Sequence, residues 1–196
     1  MRIVTDLTKG WGFAGPAETL EEALAMPIRP VDLPHTWNAQ DGQSGKDYLQ
    51  ARCWYFRELE IPSLKEEQEV WIEFLAANQV CDVYLNSQKL GHHEGGYTAF
   101  RVNLTPALGE ENHLAVAVDN RVNPRIYPQR SDFTYYGGLY REISLLTVPK
   151  AHFALGYWGS SGLAVTPQVQ ERRAQVKVQV WTEGPARQVA VTIAGE

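Results

Sequence analysis

The stretch Glu69-Val-Trp-Ile-Glu-Phe74 (EVWIEF) sets Val70, Ile72 and Phe74 two residues apart. In an extended chain, side chains at i, i+2 and i+4 line one face, so this spacing predicts a strand with an apolar face turned to a core. The same period recurs on the C-terminal side, in Leu114, Val116 and Val118 and again in Val176, Val178 and Val180. Turn-forming residues separate such segments: Asn86-Ser87, Gly95-Gly96, Thr105-Pro106 and Gly109. Alternating runs broken by turns in this way predict an all-β antiparallel sandwich rather than βαβ units.

Only Ala17 to Met26 (AETLEEALAM) reads as helix, with Leu20 and Leu24 four apart and acids near its start, where the helix dipole favours negative charge. Pro27, Pro30 and Pro34 then impose extended or turn geometry up to VDLPHTWN. The charge run LKEEQE, residues 64–69, reads as a solvated loop between strands. A domain boundary is expected near Pro149-Lys150, after the strand REISLLTV. Beyond it, GYWGSSGLAV starts as a loop, and AQVKVQVWTE and RQVAVTIAGE read as two strands parted by Gly184-Pro185. An immunoglobulin-like sandwich needs about 100 residues. Residues 1–149 are therefore expected to form one complete domain, and 150–196 the first strands of a truncated immunoglobulin-like domain. Strand edges left open in this way favour self-association, so a homo-oligomer is an expected form.

The chain has 196 residues, 44% hydrophobic and 21% charged, which suits a folded globular protein rather than a disordered one. A net charge of −5, with 18 scattered Lys and Arg, argues against nucleic acid as a partner. No window approaches the roughly 20 apolar residues that span a bilayer, and MRIVTDLTKGWGF lacks a secretion pattern, so no membrane partner and a cytoplasmic setting are expected. Cys53 and Cys81 are then expected to be buried thiols rather than a disulfide.

His92-His93-Glu94 resembles a metal box, but adjacent strand residues point to opposite faces and both imidazoles cannot reach one ion. Gly95-Gly96-Tyr97 predicts a bulge or tight bend, with Tyr97 and Phe100 packing inward. No phosphate-binding glycine loop, dinucleotide fingerprint or nucleophile elbow is present, and the strand pattern pairs none of the 23 acids as two-carboxylate hydrolysis requires. What remains is an acid framed by rings, Arg130-Ser131-Asp132-Phe133-Thr134-Tyr135-Tyr136. A carboxylate beside tyrosines can accept hydroxyl hydrogen bonds while the rings meet C–H faces, a sugar clamp; equally, Asp132 can cap its own turn. Ser44-Gly45-Lys46-Asp47-Tyr48 repeats the acid-and-ring pattern, with a plain polar loop as its simpler reading.

Four motifs carry a resemblance: VDLPHTWN, CWYFRELEIP, VYLNSQKLGHHEGGYTAFRVNLTPAL and DFTYYGGLYREISLL. In this order and spacing, over roughly residues 5–150, the chain resembles the N-terminal sugar-binding domain of glycoside hydrolase family 2, which includes β-galactosidases and β-glucuronidases. The resemblance implies a jelly-roll sandwich, then an immunoglobulin-like domain, then a (β/α)₈ barrel holding both catalytic glutamates. Catalytic residues are thus expected to lie outside this chain, in a barrel domain of the same polypeptide.

The family implies further that Asp132 reaches the barrel's mouth and binds sugar hydroxyls and that Asp47 matches more loosely in the same role; Tyr135, a ring of the acid-and-ring segment, is a further candidate sugar contact. Gly137, Gly138 and Arg141 match structural positions, with Arg141 tying its strand to a neighbouring acid. In some relatives an ion lies near the Asp132 position; nothing in this sequence demands a metal or cofactor. The implied substrate is a terminal β-glycoside of the β-galactosidase type, cleaved by the whole polypeptide and not by this chain alone. The rival readings are a free-standing carbohydrate-binding module and a sandwich used only for assembly.

Overall fold

The computed structural model describes residues 2–41, 47–127, 134–185 and 188–192. Two antiparallel sheets enclose the core. One runs β1 (Ile3–Asp6), β10 (Ile143–Pro149), β5 (Gln68–Phe74) and β8 (Phe100–Asn103). The other runs β3 (Arg29–Val31), β2 (Trp11–Ala14), β4 (Arg52–Glu58), β9 (His113–Asp119), β6 (Val80–Leu85) and β7 (Gln88–Glu94). The all-β expectation holds.

Alternation explains the core. Val70, Ile72 and Phe74 of β5 and Leu114, Val116 and Val118 of β9 join one buried cluster with Trp11, Phe13, Tyr55, Val83, Leu85 and Leu145. Full burial of such a side chain is worth about 1.5–3 kcal/mol, so these two alternating strands alone supply much of the drive to stack the sheets. Register follows from the turns. Asn86 and Ser87, with φ of 51° and 66°, form the tight two-residue connection that sets Leu85 against Gln88. The Asn86 side chain also accepts from the His113 amide at 2.9 Å and donates to the Ala107 carbonyl at 3.0 Å, tying this turn to β9.

The outer faces depart from a simple polar alternation. On β5 the other face carries Trp71, which packs with Leu146, Val148 and Leu155. Arg101 fastens that cover: its Nε lies 2.6 Å from Glu73, and its guanidinium donates to the carbonyls of Leu155 (3.1 Å) and Ser160 (2.6 Å). On the other sheet, α1 (Leu20–Leu24) lays Ala23 against Trp54, Ala115 and Ala117. This helix of little more than one turn lies within the 17–26 span read from sequence, and Thr19 and Glu22 form a capping box that fixes its first turn. Leu24 stays exposed, so the buried stripe runs through Leu20 and Ala23 instead.

After β10 the chain forms β11 (His152–Phe153), β12 (Leu163–Gln170), β13 (Arg173–Val180) and β14 (Thr182–Glu183). β12 was not legible, since Pro167 interrupts it, and residues 188–192 form no strand although RQVAVTIAGE reads as one. Tyr97 is a second correction: it is exposed, while Phe100 packs inward against Phe74. Gly95 takes φ of 129°, so the bend turns Tyr97 away from the core.

Cys53 on β4 and Cys81 on β6 both pair with Val118, from either side of β9. Two strand spacings of about 4.8 Å separate them, beyond the roughly 7 Å Cα limit for a disulfide. Both are free and buried, and burial, with Asp119 adding to it, pushes the Cys53 thiol up to about 12; burial likewise raises Cys81. A thiol reagent at mild alkaline pH should therefore label neither cysteine in the native fold and both after denaturation; native labelling of either would contradict this register.

Candidate functional site

The loops before β4 and those joining β5 to β6, β7 to β8 and β9 to β10 all meet at one end of the sandwich, because the strands alternate in direction. Three buried asparagines bind these loops together. Asn38 Oδ1 accepts from the Gly137 amide at 2.8 Å and from Asn120 Nδ2 at 3.2 Å. Its Nδ2 donates to Asp41 Oδ2 at 2.7 Å and to the Leu49 carbonyl at 3.0 Å. Asn120 Oδ1 accepts from the Ala51 amide at 2.8 Å, and its Nδ2 also reaches the carbonyls of Leu49 (3.1 Å) and Tyr135 (3.3 Å). Asn78 Nδ2 donates to the Tyr136 carbonyl at 2.8 Å, and its backbone pairs with Gly138.

Close packing completes the base. A Cβ on Gly137 would come within 2.1 Å of the Trp37 ring, and one on Gly138 within 2.5 Å of the His35 carbonyl oxygen. Gly138 also takes φ of 133°, so this glycine pair is required by space and by backbone. Trp37 Nε1 donates to the Leu49 carbonyl at 3.2 Å, and Tyr140 donates its hydroxyl to the Gly96 carbonyl. His35 faces the Tyr55 hydroxyl at 2.8 Å, and burial, helped by Arg29, holds its pKa below the ordinary imidazole value.

Of the residues singled out from sequence, Asp132 lies outside the described residues. Asp47 is exposed, and Tyr135 is half-buried. Their loops are brought together by Asn120, which binds both the Leu49 and Tyr135 carbonyls. Gln50, Gln79, Asn120, Asn123, Ile126 and Tyr135 line a recess of about 20 Å³, room for one water-sized group. Tyr97, Tyr127 and Tyr136 expose rings on the same loops. A much larger concavity of about 930 Å³ lies elsewhere, under Leu20, Ile28 and Phe56 on the outer face of the six-stranded sheet.

His92 and His93 do point to opposite faces: His92 Nδ1 sits 2.6 Å from Asp82, while His93 stacks on Phe100 at 4.1 Å. No group of three metal-ligating side chains occurs among the described residues. Arg141, expected to tie its strand to an acid, is exposed and lies over the Tyr140 ring at 5.5 Å instead. Asn38, Asn78 and Asn120 were missed altogether. Asn38 ends the quoted VDLPHTWN and Asn120 follows the alternating run LAVAVD, but each alone reads as a turn residue.

The end of a β-sandwich that gathers exposed rings, a carboxylate and pinned loops has the layout of a carbohydrate-contacting domain. A family model described as "Glycosyl hydrolases family 2, sugar binding domain" matches residues 22–149, and the chain belongs to that family. It is 35% identical over 178 residues to a β-glucuronidase of Bacteroides fragilis, covering 88% of this chain and 25% of the relative. It is 30% identical over 157 residues to a β-galactosidase of Thermoanaerobacterium thermosulfurigenes, covering 74% and 21%. Among solved structures, β-glucuronidase 2 of Bacteroides uniformis, covalently bound to cyclophellitol-6-carboxylate aziridine, superposes with a TM-score of 0.82 at 36% identity, covering 91% and 22%. The chain thus spans about a quarter or less of the length of these relatives.

Asp41 supplies a test of the site's base. The Leu49 amide, at 2.9 Å, and Asn38 hold its carboxyl below the ordinary carboxylate value. A depressed folded-state pKa means the contribution is complete above the unfolded value, about 3.9, and is lost as pH falls through the folded value. Protection of the Leu49 amide from exchange should hold from neutral pH down to about 4 and fall below it. Asp41→Asn should abolish that step; a step that persists would place its origin elsewhere.

Proposed function

We propose that this chain is the N-terminal sugar-binding part of a longer family 2 glycosidase that hydrolyses terminal β-glycosides. The match of residues 22–149 to the sugar-binding domain carries this reading. In it, residues 1–149 are the jelly-roll unit and 150–196 the opening strands of an immunoglobulin-like unit. The β12–β13 hairpin supports that division: Leu163, Val165 and Val169 face Val180, Val178 and Ala174 to make one apolar face, largely exposed and suited to packing against further strands.

The chemistry assigned to this chain is binding rather than bond cleavage. Asp132 accepts hydrogen bonds from sugar hydroxyls, Asp47 does so from the neighbouring loop, and Tyr135 lines the sugar's edge. Contacts to hydroxyls remote from the breaking bond raise turnover when they tighten in the transition state. Cleavage belongs to a barrel domain of the same polypeptide. The 35% identity to a β-glucuronidase, against 30% to a β-galactosidase, favours a β-glucuronide over a β-galactoside as the terminal sugar.

Residues 1–196 alone should hydrolyse neither p-nitrophenyl β-glucuronide nor the β-galactoside. The polypeptide extended through its barrel should cleave the glucuronide, and Asp132→Asn should lower its kcat/KM by about 10- to 100-fold, the worth of a charge-assisted hydrogen bond. Hydrolysis by residues 1–196 that scales with protein would refute the reading. Tight, saturable sugar binding by residues 1–196 unaided would instead mark a free-standing module.

A further inference from the structure

Asn38 is fully buried and Asn120 nearly so, yet neither has a spare polar atom. Both lone pairs of Asn38 Oδ1 and both hydrogens of its Nδ2 are engaged, by partners from three separate segments: Asp41 and Leu49, Asn120, and Gly137. Asn120 engages both of its polar atoms as well: Oδ1 accepts from the Ala51 amide, and the two hydrogens of Nδ2 are shared among Asn38 Oδ1 and the carbonyls of Leu49 and Tyr135. These are the backbone segments beside Asp47 and around Tyr135. A strand-forming core would be better served here by two apolar side chains, since buried amides stabilise only when every group is satisfied.

We propose that Asn38 and Asn120 are positioning residues that lock the loop bearing Asp47 to the segment bearing Tyr135, so that the two present their sugar-facing groups as one unit. This rests on the sugar-binding reading above. The lock works through matched donors and acceptors. An aspartate at either position loses the NH₂ donors and points a carboxylate oxygen at carbonyl or carboxylate oxygens. Asp41 completes it from the half-exposed side, holding Asn38 Nδ2 and the Leu49 amide with one oxygen. Loosening one loop therefore loosens the other, because Asn38 and Asn120 each hold both.

Amide exchange on the 196-residue chain tests the lock without reference to activity. The Gly137 amide is bonded to Asn38, not to Asn120 or Asp41. In Asn120→Asp, and in Asp41→Ala should the former fail to fold, exchange at Gly137 should nevertheless quicken about tenfold or more, while core amides such as Val116 keep their protection. Unchanged protection at Gly137 in a folded variant would show that the loops are independent and overturn the proposal.

In the glycosidase containing this chain, Asp41→Ala should raise KM for p-nitrophenyl β-glucuronide about tenfold with kcat little changed. A merely structural role would lower kcat in proportion to the folded fraction and leave KM alone, and that result would also overturn it. An enzyme that never cleaves the glycoside, with the exchange coupling intact, would count against the proposed function and leave the lock standing.

Discussion

The Oδ1 atom of Asn38 accepts two hydrogen bonds, and the donors, Gly137 and Asn120, lie 99 and 82 residues away along the chain. Its amide nitrogen answers with two more, to Asp41 and Leu49. A buried amide that lacked any of these would carry a desolvation cost of about 1–3 kcal/mol per orphaned group. Satisfied, the same amide accepts only one arrangement of its neighbours. The loop end of the sandwich is thereby specified by geometry that an apolar cluster, which tolerates sliding and repacking, could not impose.

The rest of the molecule can be read as the frame for that end. Facing sheets bury Val70, Ile72, Phe74, Val116 and Val118 and set the distance between β4, β9 and β10. β9 then delivers Asn120 just beyond its last residue, and the Gly137-Gly138 pair lies flat against Trp37 and His35 where no larger residue fits. Side-chain types are divided along the strands: apolar side chains fill the middle, and amides, tyrosines and carboxylates collect where the chain turns. Arg101 and Trp71 perform a separate task on the outer face, seating residues 155–160 against β5 and β8.

Much of the frame was legible because it is written in period two. Val70, Ile72 and Phe74 announce their face within six residues, and Asn86-Ser87 announces its turn within two. β12 escaped because Pro167 breaks the pattern that identifies a strand, and Tyr97 was misplaced because a positive-φ glycine reverses the direction in which the next side chains point. The candidate site was read from composition as an acid among rings, and that acid, Asp132, lies outside the described residues. Asn38 and Asn120 were invisible for a physical reason: an asparagine after a tryptophan or a strand suits a turn equally well, and only a partner some eighty residues away distinguishes the two.

A double-mutant cycle in urea measures the coupling between those two amides. With Asn38→Ala, Asn120→Ala and the double variant unfolded alongside the parent, the second substitution should cost less than the first, because the first has already orphaned their shared partners. An interaction free energy of about 1 kcal/mol or more is expected. Costs that add to within about 0.5 kcal/mol would contradict it, leaving two independent turn asparagines.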